Sequence, residues 1–260
     1  MLLRWLKNRR RRKFVGEPFP AAWSVWLTER VPHHDTLNAA DQLALEKLVQ
    51  VFVAEKNWEG VDGIEVDDEM RVTIAGQACL MLLGLDHDYF CNVDSILIYP
   101  RSFVSVAKQS MDATGVVHES DAESLGEAWR DGPVLLSWAD AVAGGANSHD
   151  GHNVVIHEFA HKLDLRDGVV NGVPVLRQRQ DYARWAEVMR REYDALVDSS
   201  NRGRATLLDV YGTTNPGEFF AVAVECFFEK PEQLRQRHRA MYEVLRDYFG
   251  QDPAKRLAGG

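Results

Sequence analysis

Cysteine is scarce in this chain of 260 residues: Cys79, Cys91 and Cys226 are the three, and they form no C-x-x-C pair. An odd, scattered set argues against a disulfide framework and points to a reducing compartment, the cytoplasm. Each is expected to serve as a small buried apolar residue. Long apolar runs are missing too. No stretch approaches the roughly 18 uncharged apolar residues of a membrane span, and Met1–Lys13 has no apolar core of signal-peptide length. There is no G-x-S-x-G and no P-loop, so neither a serine-hydrolase elbow nor a phosphate cradle has support. No internal repeat occurs.

Acidic charge is absent where basic charge is densest. Residues 1–13 carry seven basic side chains and no acidic one, while the chain as a whole is at −9. Residues 14–260 therefore hold 23 Lys and Arg against 39 Asp and Glu, a balance of −16. An acidic body argues against a nucleic-acid partner. The basic segment is expected to be a solvated, mobile arm. Its functional alternative is a weak contact with an anionic membrane surface, helped by Leu2, Leu3, Trp5 and Leu6. At 45% hydrophobic and 27% charged, the chain otherwise has the composition of a globular protein. Residues 14–260 are read as a single domain with a cleft between 14–165 and 166–260.

The chemistry sits in V-V-I-H-E-F-A-H-K-L-D, Val154 to Asp164. Each helical residue turns by about 100°, so His157 and His161, at i and i+4, share a face and are able to hold one Zn²⁺ from the same side. Glu158 stands one step round, placed to reach a metal-bound water rather than the metal. Asp164 is on the metal face, where a carboxylate is expected to hold an imidazole N–H. The flanking Val154, Val155, Ile156, Phe159, Ala160 and Leu163 predict a buried helix, which should not carry His, Glu, His and Asp without partners.

A catalytic zinc takes three protein ligands and leaves one position for water. Asp167 is one candidate for the third, although the glycine that a close-spaced third ligand needs for its turn is absent at 164. Glu218 and Glu225 are others. They lie seven apart in E-F-F-A-V-A-V-E-C-F-F, on one face of an otherwise apolar helix, and inward carboxylates need a partner. Pattern alone does not rank Glu218 over Glu225. His33-His34-Asp35, Asp86-His87-Asp88 and His149-Asp150-Gly151-His152 lack a helical i, i+4 pair and are read as polar loop residues, with His149 or His152 at the cleft mouth.

Periodicity and punctuation predict helices near Trp23–Leu27, from Asn38 to about Glu55, over about Glu69–Leu83, about Arg179–Val197, Glu218–Phe228 and Leu234–Phe249. Strands are predicted at Ser95–Tyr99, Val116–His118 and Pro133–Trp138, with loop at Glu59–Asp68 and a polar connection at Gly144–Gly151. The strand ahead of the motif helix is expected to edge the cleft, where an extended peptide pairs with its backbone.

H-E-F-A-H-K-L-D, then Tyr211, then P-G-E-F-F-A-V at 216–222, resembles the Mlc titration factor A family, cytoplasmic gluzincin-type metallopeptidases. The resemblance extends through most of residues 14–256, including M-R-V-T-I-A-G-Q-A-C-L, V-L-L-S-W and the C-terminal Q-D-P. It implies one zinc per chain on His157, His161 and Glu218, with Glu158 as base. Tyr211, seven before the glutamate, matches a tyrosine position also seen in the anthrax lethal factor catalytic core. Glu225 and Asp164 are left to support the ligands. The resemblance further implies aminopeptidase-like hydrolysis of peptides and binding of a Mlc-type transcriptional repressor. The fold expected is α+β and zincin-like: mostly helical, with a small sheet beside the H-E-x-x-H helix and a helical C-terminal lobe. The rival function is a binding protein that sequesters the repressor, with hydrolysis incidental.

Overall fold

The computed structural model describes residues 2–101 and 132–258. The fold is mostly helical α+β. Helices α1 (Leu2–Gly16), α2 (Ala21–Arg30), α3 (Ala39–Glu55) and α4 (Asp68–Leu80) lead into a small sheet of β1 (Asn57–Gly60), β2 (Ser95–Tyr99) and β3 (Val134–Ser137). The strands run parallel in the order β1-β2-β3, with Trp58 opposite Ile96 and Leu97 opposite Leu135. Parallel strands need crossovers, and α4 lies on the chain between β1 and β2. Ile96, Ile98, Val134 and Leu136 are the buried apolar side chains of β2 and β3.

Helices α5 (Trp138–Ala146) and α6 (Val154–Asp164) follow, then α7 (Asp181–Asn201), α8 (Pro216–Glu229), α9 (Pro231–Arg237), α10 (Arg239–Phe249) and α11 (Pro253–Ala258). Helix starts obey local chemistry. Asn38 Oδ1 accepts from the N–H groups of Ala40 and Asp41, both at 3.0 Å, and Asp67 caps α4 through Met70 N at 2.9 Å. Such caps satisfy donors that the first turn leaves unpaired. The C-terminal helices close on an aromatic core in which Phe227 stacks on Phe249, ring centroids 5.5 Å apart, and Trp185 meets Phe220 at 5.9 Å.

The structure departs from the sequence reading in several places. Glu59 and Gly60, read as loop, pair with Leu97 and Ile98 in β1; with only Trp58 apolar, that strand has no alternation to detect. Trp138, read as strand, begins α5, because Ser137 Oγ accepts from Asp140 N at 3.1 Å and caps a helix there. The long helix expected over Leu234–Phe249 is broken at His238 (φ −131°, ψ 51°). Pro231 opens α9, where its missing N–H costs nothing. Val116–His118 lies outside the described residues.

The basic segment is the largest difference. It is helical, and Arg11 is buried: its guanidinium gives two hydrogen bonds of 2.8 Å to Glu55, pairs with Asp88 and lies over the Tyr89 ring, 4.2 Å from its centroid. Lys7, Arg9, Arg10, Arg12 and Lys13 remain exposed. Arg11 thus joins to α3 a helix that composition alone assigns to solvent.

Candidate metal centre

Helix α6 has two faces with different tasks. Val155, Ile156, Phe159, Ala160 and Leu163 are buried in the core, with Phe159 against Phe52 at 5.6 Å and Phe90 at 4.8 Å between ring centroids. That packing fixes the rotation of the helix and turns His157 and His161 toward α8. Asn153 caps α6 through Ile156 N at 3.0 Å, gives its own N–H to Glu225 at 2.7 Å and its side-chain amide to Glu229 at 3.2 Å. One residue thus starts the motif helix and ties it to α8. Asparagine directly before an apolar-periodic segment is a legible cap signal; its two glutamate partners, 72 and 76 residues away, are not.

Helix α8 is buried over nearly its whole surface. Asn215 Oδ1 accepts Glu218 N at 3.0 Å, Pro216 takes the first helical position, and the Glu218 carboxylate points at the histidine pair. Glu218 Oε2 is 3.0 Å from His157 Nε2 and 3.3 Å from His161 Nε2, and the two imidazole nitrogens are 3.2 Å apart. Among the described residues, His157, His161 and Glu218 are the group of three whose ligand atoms all fall within 4.8 Å of one another. Glu218 is the carboxylate in that group, whereas Asp167 is exposed and its Oδ1 accepts Val169 N at 3.1 Å. Glu225, seven residues and about two helical turns on, sits behind the cluster, with Oε2 2.8 Å from His157 Nδ1. That contact orients the ring so that Nε2 faces inward, the arrangement a ligating histidine needs.

Two imidazole nitrogens and a carboxylate oxygen converging on one point suit a divalent cation of zinc's ligand preference. The same convergence sets the acid–base character. Burial pushes the His157 imidazole down, but its hydrogen bonds to Glu218 and Glu225 prevail and carry it up to about 10. Burial pushes Glu218 up, yet the hydrogen bonds from His157 and His161 draw it down to about 2. Glu218 is thus held as a carboxylate against a protonated His157, and a metal ion would offer the positive charge in place of that proton.

Glu158 is half-buried beside the cluster. Burial raises its carboxyl above the usual range, opposed by the charges of His161 and His157. Tyr211, in the short 3₁₀ turn Val210–Thr213, is 41% exposed; its ring centroid is 6.0 Å from that of His157 and its hydroxyl hydrogen-bonds Glu218. Burial, then the charge of Glu218, pushes the Tyr211 hydroxyl up to about 12, so it remains a proton donor at neutral pH. Tyr211 and His157 line an open cleft of about 490 Å³ together with Glu225, Asp209, Asp140 and His152. His152, expected at the cleft mouth, is there. His33, expected in a polar loop, is instead buried, and burial lowers its imidazole to about 4.

Asp164 does not do what its helical position suggests. It is wholly buried, and its two oxygens accept the backbone N–H groups of Gly172 (2.8 Å) and Val173 (2.9 Å). A side chain projecting from the C-terminal end of α6 meets the returning chain there before it meets an imidazole. Lys162, also buried, carries its charge to the Gly132 carbonyl at 3.0 Å and so ties α6 to the start of β3.

The family model described as glucose-regulated metallo-peptidase M90 matches residues 5–250, which takes in most of the basic helix. An uncharacterized protein of Synechocystis is 39% identical over 250 residues, spanning 96% of this chain and 90% of its own. Proteins named Mlc titration factor A from Salmonella arizonae and Salmonella agona are each 33% identical over 232 residues, 87% of this chain, and are covered over 90% and 85% of their own lengths.

Proposed function

The chain belongs to the glucose-regulated metallo-peptidase M90 family, and from that premise we propose that it is a zinc-dependent peptidase of aminopeptidase type, with one Zn²⁺ on His157, His161 and Glu218. The observation that carries the reading is the convergence of those three ligand atoms within 4.8 Å, behind which Glu225 holds His157 at 2.8 Å. A zinc ion bound there supplies Lewis acidity, polarising a scissile carbonyl and acidifying water. The chain's own residues supply the rest. Glu158, adjacent to the ligand pair, takes the proton from the attacking water and passes it to the leaving amine; its raised carboxyl suits both halves of that exchange. The Tyr211 hydroxyl, a proton donor at the mouth of the cleft, steadies the oxyanion of the tetrahedral intermediate. Among the described residues β3 pairs with β2 on one edge, which leaves its other edge for an extended peptide. Free, unpaired Cys79, Cys91 and Cys226 support a cytoplasmic setting, and no described helix is long and apolar enough to cross a membrane.

The test is Glu158→Gln, which keeps the size and removes the base. Metal analysis and a peptide library applied to wild type and variant should find zinc in both and cleavage in the wild type alone. Peptides with a free N-terminus should be cut and their N-acetylated counterparts spared. A variant that cleaves at full rate would remove Glu158 from the chemistry.

The name of the Salmonella relatives supports a second reading: this chain also binds a Mlc-type repressor. A docking surface is much larger than one cleft side chain. Repressor binding should therefore survive Glu158→Gln; its loss in a folded, zinc-loaded variant would mean that the partner enters the cleft as a substrate does.

A further inference from the structure

Asp164 is the last residue of the motif helix, and its carboxylate leads to the other side of the metal centre through backbone. Gly172, whose N–H it accepts at 2.8 Å, has φ +75°, and a Cβ on it would overlap the carbonyl oxygen of Pro216. The Gly172 carbonyl in turn accepts the buried indole N–H of Trp185 at 3.0 Å. On the facing chain, a Cβ on Gly217 would come within 2.7 Å of Val170 Cγ1, 3.2 Å of Asn215 Oδ1 and 3.7 Å of Asp164 Oδ2. Two glycines thus allow the turn after α6 to lie directly against the first turn of α8. The residue that follows Gly217 is Glu218, whose N–H is capped by Asn215 at 3.0 Å.

We propose that Asp164 is a positioning residue for the metal centre: by clamping the Gly172–Val173 backbone against Pro216 and Gly217, it sets the distance between the histidine pair of α6 and the Glu218 carboxylate of α8. This rests on the reading of His157, His161 and Glu218 as metal ligands. The clamp joins the two helices that carry the ligands by a route independent of the ligands themselves. His157 and His161 are placed by the packing of α6, and Glu218 by the start of α8. The turn 168–173 is wedged between those two elements, and Asp164 holds it with two hydrogen bonds to a buried carboxylate, which are among the stronger kind. Without them the turn relaxes, the N-terminus of α8 loses its stop, and Glu218 is no longer held to the geometry a tetrahedral ion requires.

The experiment compares zinc affinity, measured by competition with a chelator, and the visible absorption of the cobalt-substituted protein in wild type, Asp164→Asn, Gly172→Ala and Asn38→Ala. Asp164→Asn offers an N–H where the backbone needs an acceptor. Gly172→Ala pushes the turn off Pro216 with no change of charge. Both should lower zinc affinity by about tenfold or more, in the range typical of residues that orient ligands, and both should shift the cobalt spectrum. Asn38→Ala, which loses the cap of α3, should lower the melting temperature and leave affinity and spectrum alone. Unchanged affinity and spectrum in Asp164→Asn beside a wild type that binds zinc would overturn the proposal, and that variant decides alone where Gly172→Ala fails to fold. A wild type that binds no zinc would overturn the metal reading itself.

Discussion

At the scale of single residues, Glu218 and Asp167 were equal in kind as carboxylates and unequal in surroundings. Glu218→Gln should strip most of the zinc because a neutral amide replaces the anionic ligand, whereas Asp167→Asn, exposed and engaged in its own turn, should leave metal content unchanged; metal analysis of the two purified variants decides. Tyr211→Phe should reduce kcat by about 10²–10³, the usual loss for an oxyanion donor, with KM little altered. A steady-state comparison in which kcat holds and KM rises would make Tyr211 a substrate-binding residue instead. His157, Glu158 and His161 were legible because one helical period brings them together. Asp164 was misread because its partners are backbone groups eight and nine residues on, and helical periodicity says nothing about where a turn returns.

At the scale of elements, α1 shows what composition misses. A run of basic residues predicts solvation, and most of these side chains are indeed exposed. Yet Arg11 meets Glu55 with both side chains about nine-tenths buried, and a buried charge left without its partner is costly. Arg11→Ala should therefore lower stability by about 3–5 kcal/mol, seen in chemical denaturation, while zinc content and peptidase rate stay at wild-type levels. A chain beginning at Phe14 should behave in the same way; loss of activity there would tie α1 to the site. Helix α3, with its strong cap, was readable from Asn38 onward, whereas Asp67, which caps α4, was read as loop. The four residues of β1 were not readable, because pairing with β2 rather than side-chain pattern makes them a strand.

At the scale of the whole molecule, pH reaches stability through Glu229. It is buried behind the centre, accepting Gly151 N at 3.2 Å and the Asn153 amide at 3.2 Å. Burial, opposed by the Asn153 hydrogen bond and reinforced by the charge of Asp150, pushes its carboxyl up to about 8. The folded protein therefore holds a proton that the unfolded chain releases near the ordinary carboxylate value. The contribution is fully present below that value and is lost as pH rises toward 8, since the folded state binds more protons across the window. Denaturation midpoints should fall between about pH 5 and 8 in the wild type and flatten in Glu229→Gln. A midpoint that rises with pH for both, by equal amounts, would show that Glu229 is ionised in the fold.

The local order of residues determined the motif helix, its two histidines and the glutamate between them, the cap that starts α3, and the carboxylates that are candidates to join the histidines, because each depends on neighbours within a few positions. It also determined that the helix carrying Glu218 would be buried, since ten of its fourteen residues from Pro216 to Glu229 are uncharged and non-glycine apolar or aromatic in type or cysteine. Only the tertiary structure decided which carboxylate completes the cluster and which one orients His157. Glu218 and Glu225 are alike in sequence, and what separates them is that α8 runs past His157 with its first turn at Nε2 and the turn carrying Glu225 at Nδ1. Likewise only the fold decided the task of Asp164, because the groups that satisfy a buried carboxylate are set by where the chain returns.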